Sequence, residues 1–193
     1  MISEEKIDRI WRLGGEMPKD WDWKYFKSIK PCFLETFVER LFQQTDKRPG
    51  DSFCDLGSGT GFPSAVFAAL GFKAYLVDKS RKALDYSKAY FERVQKELGA
   101  FEYAPVFAEV DMTSEEFATY VFNDGQKINE IDVLFCRAGS DVLFFKKVIC
   151  NIKEIKKGCI WLDYARLYEN RELDTTCFTA IDKSEYCSLL VNR

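Results

Sequence analysis

Residues 53 to 61 read Phe53-Cys54-Asp55-Leu56-Gly57-Ser58-Gly59-Thr60-Gly61, and a second apolar run, Ala74 to Val77, ends about twenty residues later in an acid, Asp78. The first four residues have the character of a short strand. It runs into a turn with glycines at 57, 59 and 61, and a helix begins near Phe62. Glycines at alternate positions let the backbone approach a ligand where any Cβ would collide with it. Asp78 falls where a second parallel strand ends, beside that ligand.

Outward from this stretch the chain alternates between strand and helix. Upstream, residues 4–13 predict a helix around Ile7, Ile10 and Trp11, stopped by Gly14-Gly15. After Pro31 a second helix puts Phe33, Leu34, Phe37, Val38, Leu41 and Phe42 on one face. Lys47-Arg48-Pro49-Gly50 turns the chain into strand one, about 51–56. A helix over 62–70 follows, with Pro63 in its first turn and Gly71 as its stop. Strand two is 73–78, and a helix over 80–98 turns Leu84, Tyr90, Phe91, Val94 and Leu98 inward. Strand three is 104–110, and Thr113 with Glu116 forms the pattern of a capping box for a further helix. Strand four is 131–136, a helix spans 140–153, and strand five is 158–163. Thr175–Ile181 and Tyr186–Val191 then read as two strands joined by a tight turn at Asp182-Lys183-Ser184. Five parallel strands with helical crossovers, extended by an antiparallel hairpin, make an α/β protein with a mostly parallel seven-stranded sheet and N-terminal helices. No linker or repeat divides it, so residues 1–193 form one domain, with 1–49 as N-terminal helices and 50–193 as the core.

Composition narrows the chemistry. The 193 residues are long enough to bury a core of their own. No run approaches the roughly 18 apolar residues that cross a bilayer, so no membrane partner is expected. The opening Met1-Ile2-Ser3-Glu4-Glu5-Lys6 is too polar for a signal peptide, which points to the cytoplasm. Seven cysteines, an odd set without a CxxC pair, fit reduced thiols in that compartment. There is no histidine at all, which removes His-ligated zinc, Ser-His-Asp triads and His general bases. A formal net charge of −3 gives no global basic field, and no DNA partner is expected.

The glycine spacing decides between cofactors. A nicotinamide-binding turn reads GxGxxG, whereas this one reads GxGxG with Asp55 two residues ahead of it. Asp55-Leu56-Gly57-Ser58-Gly59-Thr60-Gly61 resembles, without a gap, the first motif of the class I S-adenosylmethionine-dependent methyltransferases. The likeness covers residues 50 to 163 and extends to the terminal hairpin. It implies a Rossmann-like, doubly wound fold and S-adenosylmethionine as cofactor. Residue by residue, it implies that Asp55 and the turn Gly57, Ser58, Gly59, Thr60 and Gly61 cradle the methionine and ribose. Asp78, with Lys79 next to it, would serve the two ribose hydroxyls, which suits a carboxylate with two acceptor oxygens. Asp111 and Met112 would read the adenine amine and cover the ring, and Lys156-Lys157-Gly158 resembles the turn before strand five. The cofactor is a sulfonium cation, which an acid-lined cleft suits better than it suits a pyrophosphate.

The acceptor side should lie after strand four, at Cys136-Arg137-Ala138-Gly139-Ser140. The Asn- or Asp-Pro-Pro-aromatic motif of amino-methylating DNA and RNA enzymes is missing there. Arg137-Ala138, placed at the cofactor site, and Gly61-Phe62-Pro63 are partly similar to the bacterial ribosomal-RNA guanine-N7 methyltransferases. Helix 140–153 and the C-terminal portion depart from that family. Asp141, Asp163 and Tyr164 stand at strand ends without marking themselves as a base. Trp21-Asp22-Trp23-Lys24-Tyr25-Phe26-Lys27 reads as a lid over the cofactor, a stacking surface for a planar substrate or a nucleic-acid contact, or else as aromatic packing of the N-terminal helices onto the sheet. Methyl transfer to a small molecule, an RNA or a protein, and a module that binds the cofactor without transfer, are the readings left open.

Overall fold

Strands form where the apolar runs were expected, and their register sets the geometry of everything above them. The computed structural model describes residues 2–14, 30–136, 148, 151–164, 178–183 and 187–193. Among them are β1 (Ser52–Leu56), β2 (Lys73–Asp78), β3 (Val106–Glu109), β4 (Val133–Cys136), β5 (Ile160–Tyr164), β6 (Phe178–Lys183) and β7 (Cys187–Asn192). The order across the sheet is β3-β2-β1-β4-β5-β7-β6. β1 pairs in parallel with both β2 and β4, and β4 with β5, while β7 joins β5 and β6 antiparallel. The direction of winding therefore reverses between β1 and β4, and the glycine turn leaves β1 at that point. This is the Rossmann-like, mostly parallel sheet with a closing hairpin that the sequence predicted.

Four helices are described: α1 (Glu4–Arg12), α2 (Pro31–Gln44), α3 (Phe62–Ala69) and α4 (Arg81–Leu98). Their apolar stripes share one core with Phe53, Leu76, Val133, Phe135, Ile160 and Leu162 from one face of the sheet. Phe53 and Phe67 stack at the centre of it, ring centroids 3.9 Å apart. A burial of this kind, at about 25 cal/mol per Å² of apolar surface, is the main force holding helices to the sheet. The inward residues of α2 and α4 are those expected, except that Leu98 and Phe42 are only partly buried and Phe33 lies outside the described side chains. On the opposite face Cys54, Leu56, Tyr75, Val77, Leu134, Cys136 and Trp161 pack against Phe117, Phe122, Ile128, Val148 and Ile152. Cys54, Cys136 and Cys159 are buried, whereas Cys32 is exposed.

Three expectations need correction. The capping box at Thr113 and Glu116 does not form, and only a 3₁₀ turn, Glu115–Thr119, follows β3, with Ser114 at its start. Thr113 instead gives its backbone N–H (2.9 Å) and hydroxyl (2.7 Å) to Oδ1 of Asp111, so the N–H that a capping box directs to the Glu116 carboxylate is already taken. β3 and β4 are shorter than expected, beginning at Val106 and Val133. β6 runs on through Asp182 and Lys183, paired with Leu189 and Ser188, so the hairpin turn begins later than Asp182. Helix 140–153 lies outside the described residues apart from Val148 and Asn151, both helical, and the non-helical 152–153.

Candidate cofactor site at the carboxyl ends of the strands

The site is built from the turn outward. Gly57, Gly59 and Gly61 hold φ of +79°, +54° and +77°, the left-handed region that favours glycine. The turn hangs from β2, since the N–H groups of Gly57 and Ser58 both donate to the Val77 carbonyl, at 2.8 and 3.0 Å. It closes on itself through Gly61 N–H to Ser58 O, 2.8 Å. Gly61 then serves as the N-cap of α3, and Pro63 occupies its first turn. A Cβ on Gly61 would stand 2.9 Å from Cδ2 of Leu76 and 3.1 Å from Oγ of Ser87, so helix and strand meet here through a bare backbone.

Four buried polar side chains pin this turn. Asp78, 5 % exposed, accepts from Gly59 N–H through Oδ2 (3.0 Å) and from Ser80 N–H through Oδ1 (2.8 Å). Ser87 of α4 donates its hydroxyl to the Gly59 carbonyl at 2.9 Å. Asp55, 2 % exposed, accepts the Ser64 hydroxyl at 3.0 Å. Ser64 and Ser87 were missed in the sequence, though each left a trace. Ser64 is the polar residue of the otherwise apolar Phe62–Ala69, and Ser87 falls at the inward spacing of Leu84, Phe91 and Val94.

The two acids are electrostatically coupled. Asp55 is opposite Leu76 in the β1–β2 register, so Asp78 lies on the same face one diagonal step away. Burial pushes the Asp55 carboxyl up to about 7, with the charge of Asp78 adding and the Ser64 hydroxyl opposing. Burial likewise raises Asp78, against the pull of the Ser80 and Gly59 N–H groups and of Lys79. Lys79 itself is exposed, and its charge also reaches Asp111.

Past β3, Asp111 is exposed, and its bonds to Thr113 hold its carboxyl below the ordinary range. Val110 N–H donates to the Asp78 carbonyl at 3.2 Å, which brings this loop beside the end of β2. Met112 is 4 % exposed, and its Cε would be 3.6 Å from a Cβ on Gly57. Structure thus gathers Asp55, Gly57, Ser58, Gly59, Thr60, Gly61, Asp78, Asp111 and Met112 at one end of the sheet. Arg137 and Asp141 lie outside the described residues, as do the side chains of Asp163 and Tyr164 and the segment from Trp21 to Lys27. Lys156 belongs elsewhere. Its Nζ is 2.6 Å from Oδ1 of Asp132, at the amino ends of the strands.

One polar atom in the turn has no partner. The Ser58 hydroxyl is buried in a residue only 6 % exposed, yet it makes no hydrogen bond among the described residues. Buried hydroxyls are normally paired, and a lone one in a glycine turn is suited to a ligand's polar atom.

No protein-family model matches the chain, and no curated protein matches it in sequence. Solved structures do match in shape. Magnesium protoporphyrin IX methyltransferase from Synechocystis PCC 6803, with bound SAM, aligns with a TM-score of 0.59 at 16 % identity over 100 % of this chain and 99 % of that one. Precorrin 8w decarboxylase of Methanobacterium thermoautotrophicum aligns at 0.58 and 14 % identity over the full length of both. The chain has the fold of these proteins. Ribosomal protein L11 methylase from Lactobacillus delbrueckii subsp. bulgaricus follows at 0.56 and 12 % identity, over 88 % of this chain and 82 % of that one. At such identities the likeness is one of fold, and the chemistry rests on the site's own residues.

Proposed function

We propose that the protein binds S-adenosylmethionine at the glycine turn and transfers its methyl group to an acceptor at the carboxyl end of β4. The observation that carries this reading is the joint of turn and acid. A GxGxG turn at the reversal of strand order is held to Asp78 by a 3.0 Å bond from Gly59, with an unpartnered Ser58 hydroxyl inside it. Asp55 and Gly57 to Gly61 would hold the methionine and ribose. Each Asp78 oxygen accepts one N–H and keeps a lone pair for a ribose hydroxyl. Asp111 has Oδ1 occupied by Thr113 and Oδ2 open for the adenine amine, and Met112 would lie against the ring with Lys79 near it; Arg137 is kept as a cofactor contact on the sequence resemblance alone.

The cofactor supplies a methyl group on a sulfonium, moved by in-line displacement whose demands are alignment and proximity. The chain's own contribution is then positional: a rigid turn, two fixed acids and a buried methionine that keeps water from one side of the site. The named acceptors of the methyltransferases of this fold, a porphyrin and a ribosomal protein, put small molecules and proteins within its range. RNA has less behind it. Gly61-Phe62-Pro63, half of the guanine-N7 likeness, is accounted for by the start of α3, where Phe62 and Pro63 are buried.

Calorimetry with S-adenosylhomocysteine and with NAD tests the cofactor. We expect micromolar binding of the first and none of the second, and the reverse result overturns the reading. A cofactor-binding module without transfer is the second reading, favoured by the missing amino-methylation motif at Cys136-Arg137-Ala138-Gly139-Ser140. Release of S-adenosylhomocysteine with small-molecule, RNA or protein pools separates the two, since a module releases none.

A further inference from the structure

The loop after β3 is tied to the segment between β4 and β5 by a side chain that no motif marks. Asn151, in the segment between β4 and β5, donates from Nδ2 to the Ser114 carbonyl at 2.6 Å and reaches the Met112 carbonyl at 3.5 Å. A primary amide has two N–H donors on that nitrogen, so one group serves both. The loop is already closed within itself, with Ser114 N–H on the Asp111 carbonyl (3.0 Å) and Thr113 on the Asp111 carboxylate. Those bonds make it a stiff unit but do not fix it against the sheet. Met112, packed over Gly57, anchors one side of that unit, and Asn151 anchors the other.

We infer that Asn151 is a positioning residue that sets nucleobase selectivity, by holding the Asp111–Ser114 loop in register with the glycine turn. This rests on the proposed cofactor site, with Asp111 accepting from the adenine amine. An acceptor selects an amine over a carbonyl only while it stands at a fixed distance, because a loop free to retreat trades the contact for water.

The test compares affinities for S-adenosylhomocysteine and S-inosylhomocysteine, whose base presents a carbonyl where adenine has the amine. It uses wild type, Asn151→Leu and Asn151→Gln, with thermal midpoints measured on each protein without ligand. We expect wild type to prefer the adenosyl ligand, and Asn151→Leu to reduce that preference about five-fold or more, the scale of a lost hydrogen bond. Asn151→Gln, which keeps the donors, should recover most of it. Should Asn151→Leu fail to fold, Asn151→Asp keeps the shape, loses both donors and should show the same loss. An unchanged preference, or equal weakening for both ligands that follows the fall in thermal midpoint, overturns the inference while leaving the cofactor reading intact. Wild type that binds neither ligand overturns both.

Discussion

Asp78 holds Gly59 and Ser80 with its two carboxylate oxygens, at 3.0 and 2.8 Å, and under the proposed function the same oxygens would also serve the ribose. Replacing it with Ala removes the ribose acceptors and leaves a buried Gly59 N–H unpaired. Calorimetry with S-adenosylhomocysteine should then show binding weakened by up to roughly 1.5–3 kcal/mol per bond lost. Unaltered affinity would mean that the ribose is held elsewhere. The position of Asp78 at the end of β2 was legible in the sequence, as the acid that closes the run before it. Its bond to Gly59 was not, since nothing in a string of residues says that the turn after β1 folds back over the end of β2.

At the scale of elements, the joint between the turn and α3 is the part least tolerant of change. Gly61 is at once left-handed, an N-cap and a point of contact with α4. Gly61→Ala places a methyl 2.9 Å from the buried Leu76 side chain at a φ that alanine rarely adopts. The expected loss is about 1–3 kcal/mol of stability, read from urea unfolding, with cofactor binding lost in parallel. A variant as stable as wild type would contradict the assigned geometry of the turn. The N-terminal helix is secured with equal specificity. Tyr90 donates its hydroxyl to the Ile10 carbonyl (2.9 Å), Tyr86 to that of Gly14 (2.9 Å), and Arg93 Nε to that of Leu13 (2.8 Å). These bonds end α1 with side chains of α4 and bring Trp11 edge-on to Phe62, 4.9 Å away, next to the glycine turn. Periodicity predicted both helices but could not pair them. At Thr113 the expected capping box gave way to a local contact: Asp111, two residues back, takes the N–H that Glu116 would have accepted.

For the whole molecule, a half-buried acid at one end of the sheet and a buried one at the other shape stability in opposite directions. At the amino ends, Asp132 accepts from the Ser52 N–H (2.9 Å) and hydroxyl (2.7 Å) and pairs with Lys156 (2.6 Å) and Lys47 (3.6 Å). Burial alone would raise its carboxyl, but Lys156 and Ser52 outweigh it and bring it below the ordinary range. Its contribution is complete above the unfolded value near 4 and is lost as pH falls below that. At the carboxyl ends, Asp55 behaves conversely. The folded protein keeps its proton up to about 7 while the unfolded chain releases it near 4, so the folded state binds more protons between the two values. Ligand-free stability should therefore fall as pH rises from about 4 to about 7, by a few kcal/mol at most. Asp55→Asn, which can still accept from Ser64, should flatten that slope in urea unfolding series. A variant whose stability keeps the wild-type slope would show that the proton resides elsewhere.

Sequence by itself determined the strands, the helices on their core face, the spacing of the glycines and the acid at position 78, because each depends on neighbours within one turn or one strand. The sheet order, the pairing of Asp55 with Ser64, the clasp of Asn151 on the loop after β3 and the latch of α4 on α1 were decided only in the tertiary structure. Those contacts join residues 9 to 80 positions apart, and hydrogen bonds of that range leave no periodic trace in a sequence. The glycine turn belongs to both classes: its left-handed backbone is written in three glycines, and its place at the reversal of the sheet comes from β1 pairing on both sides.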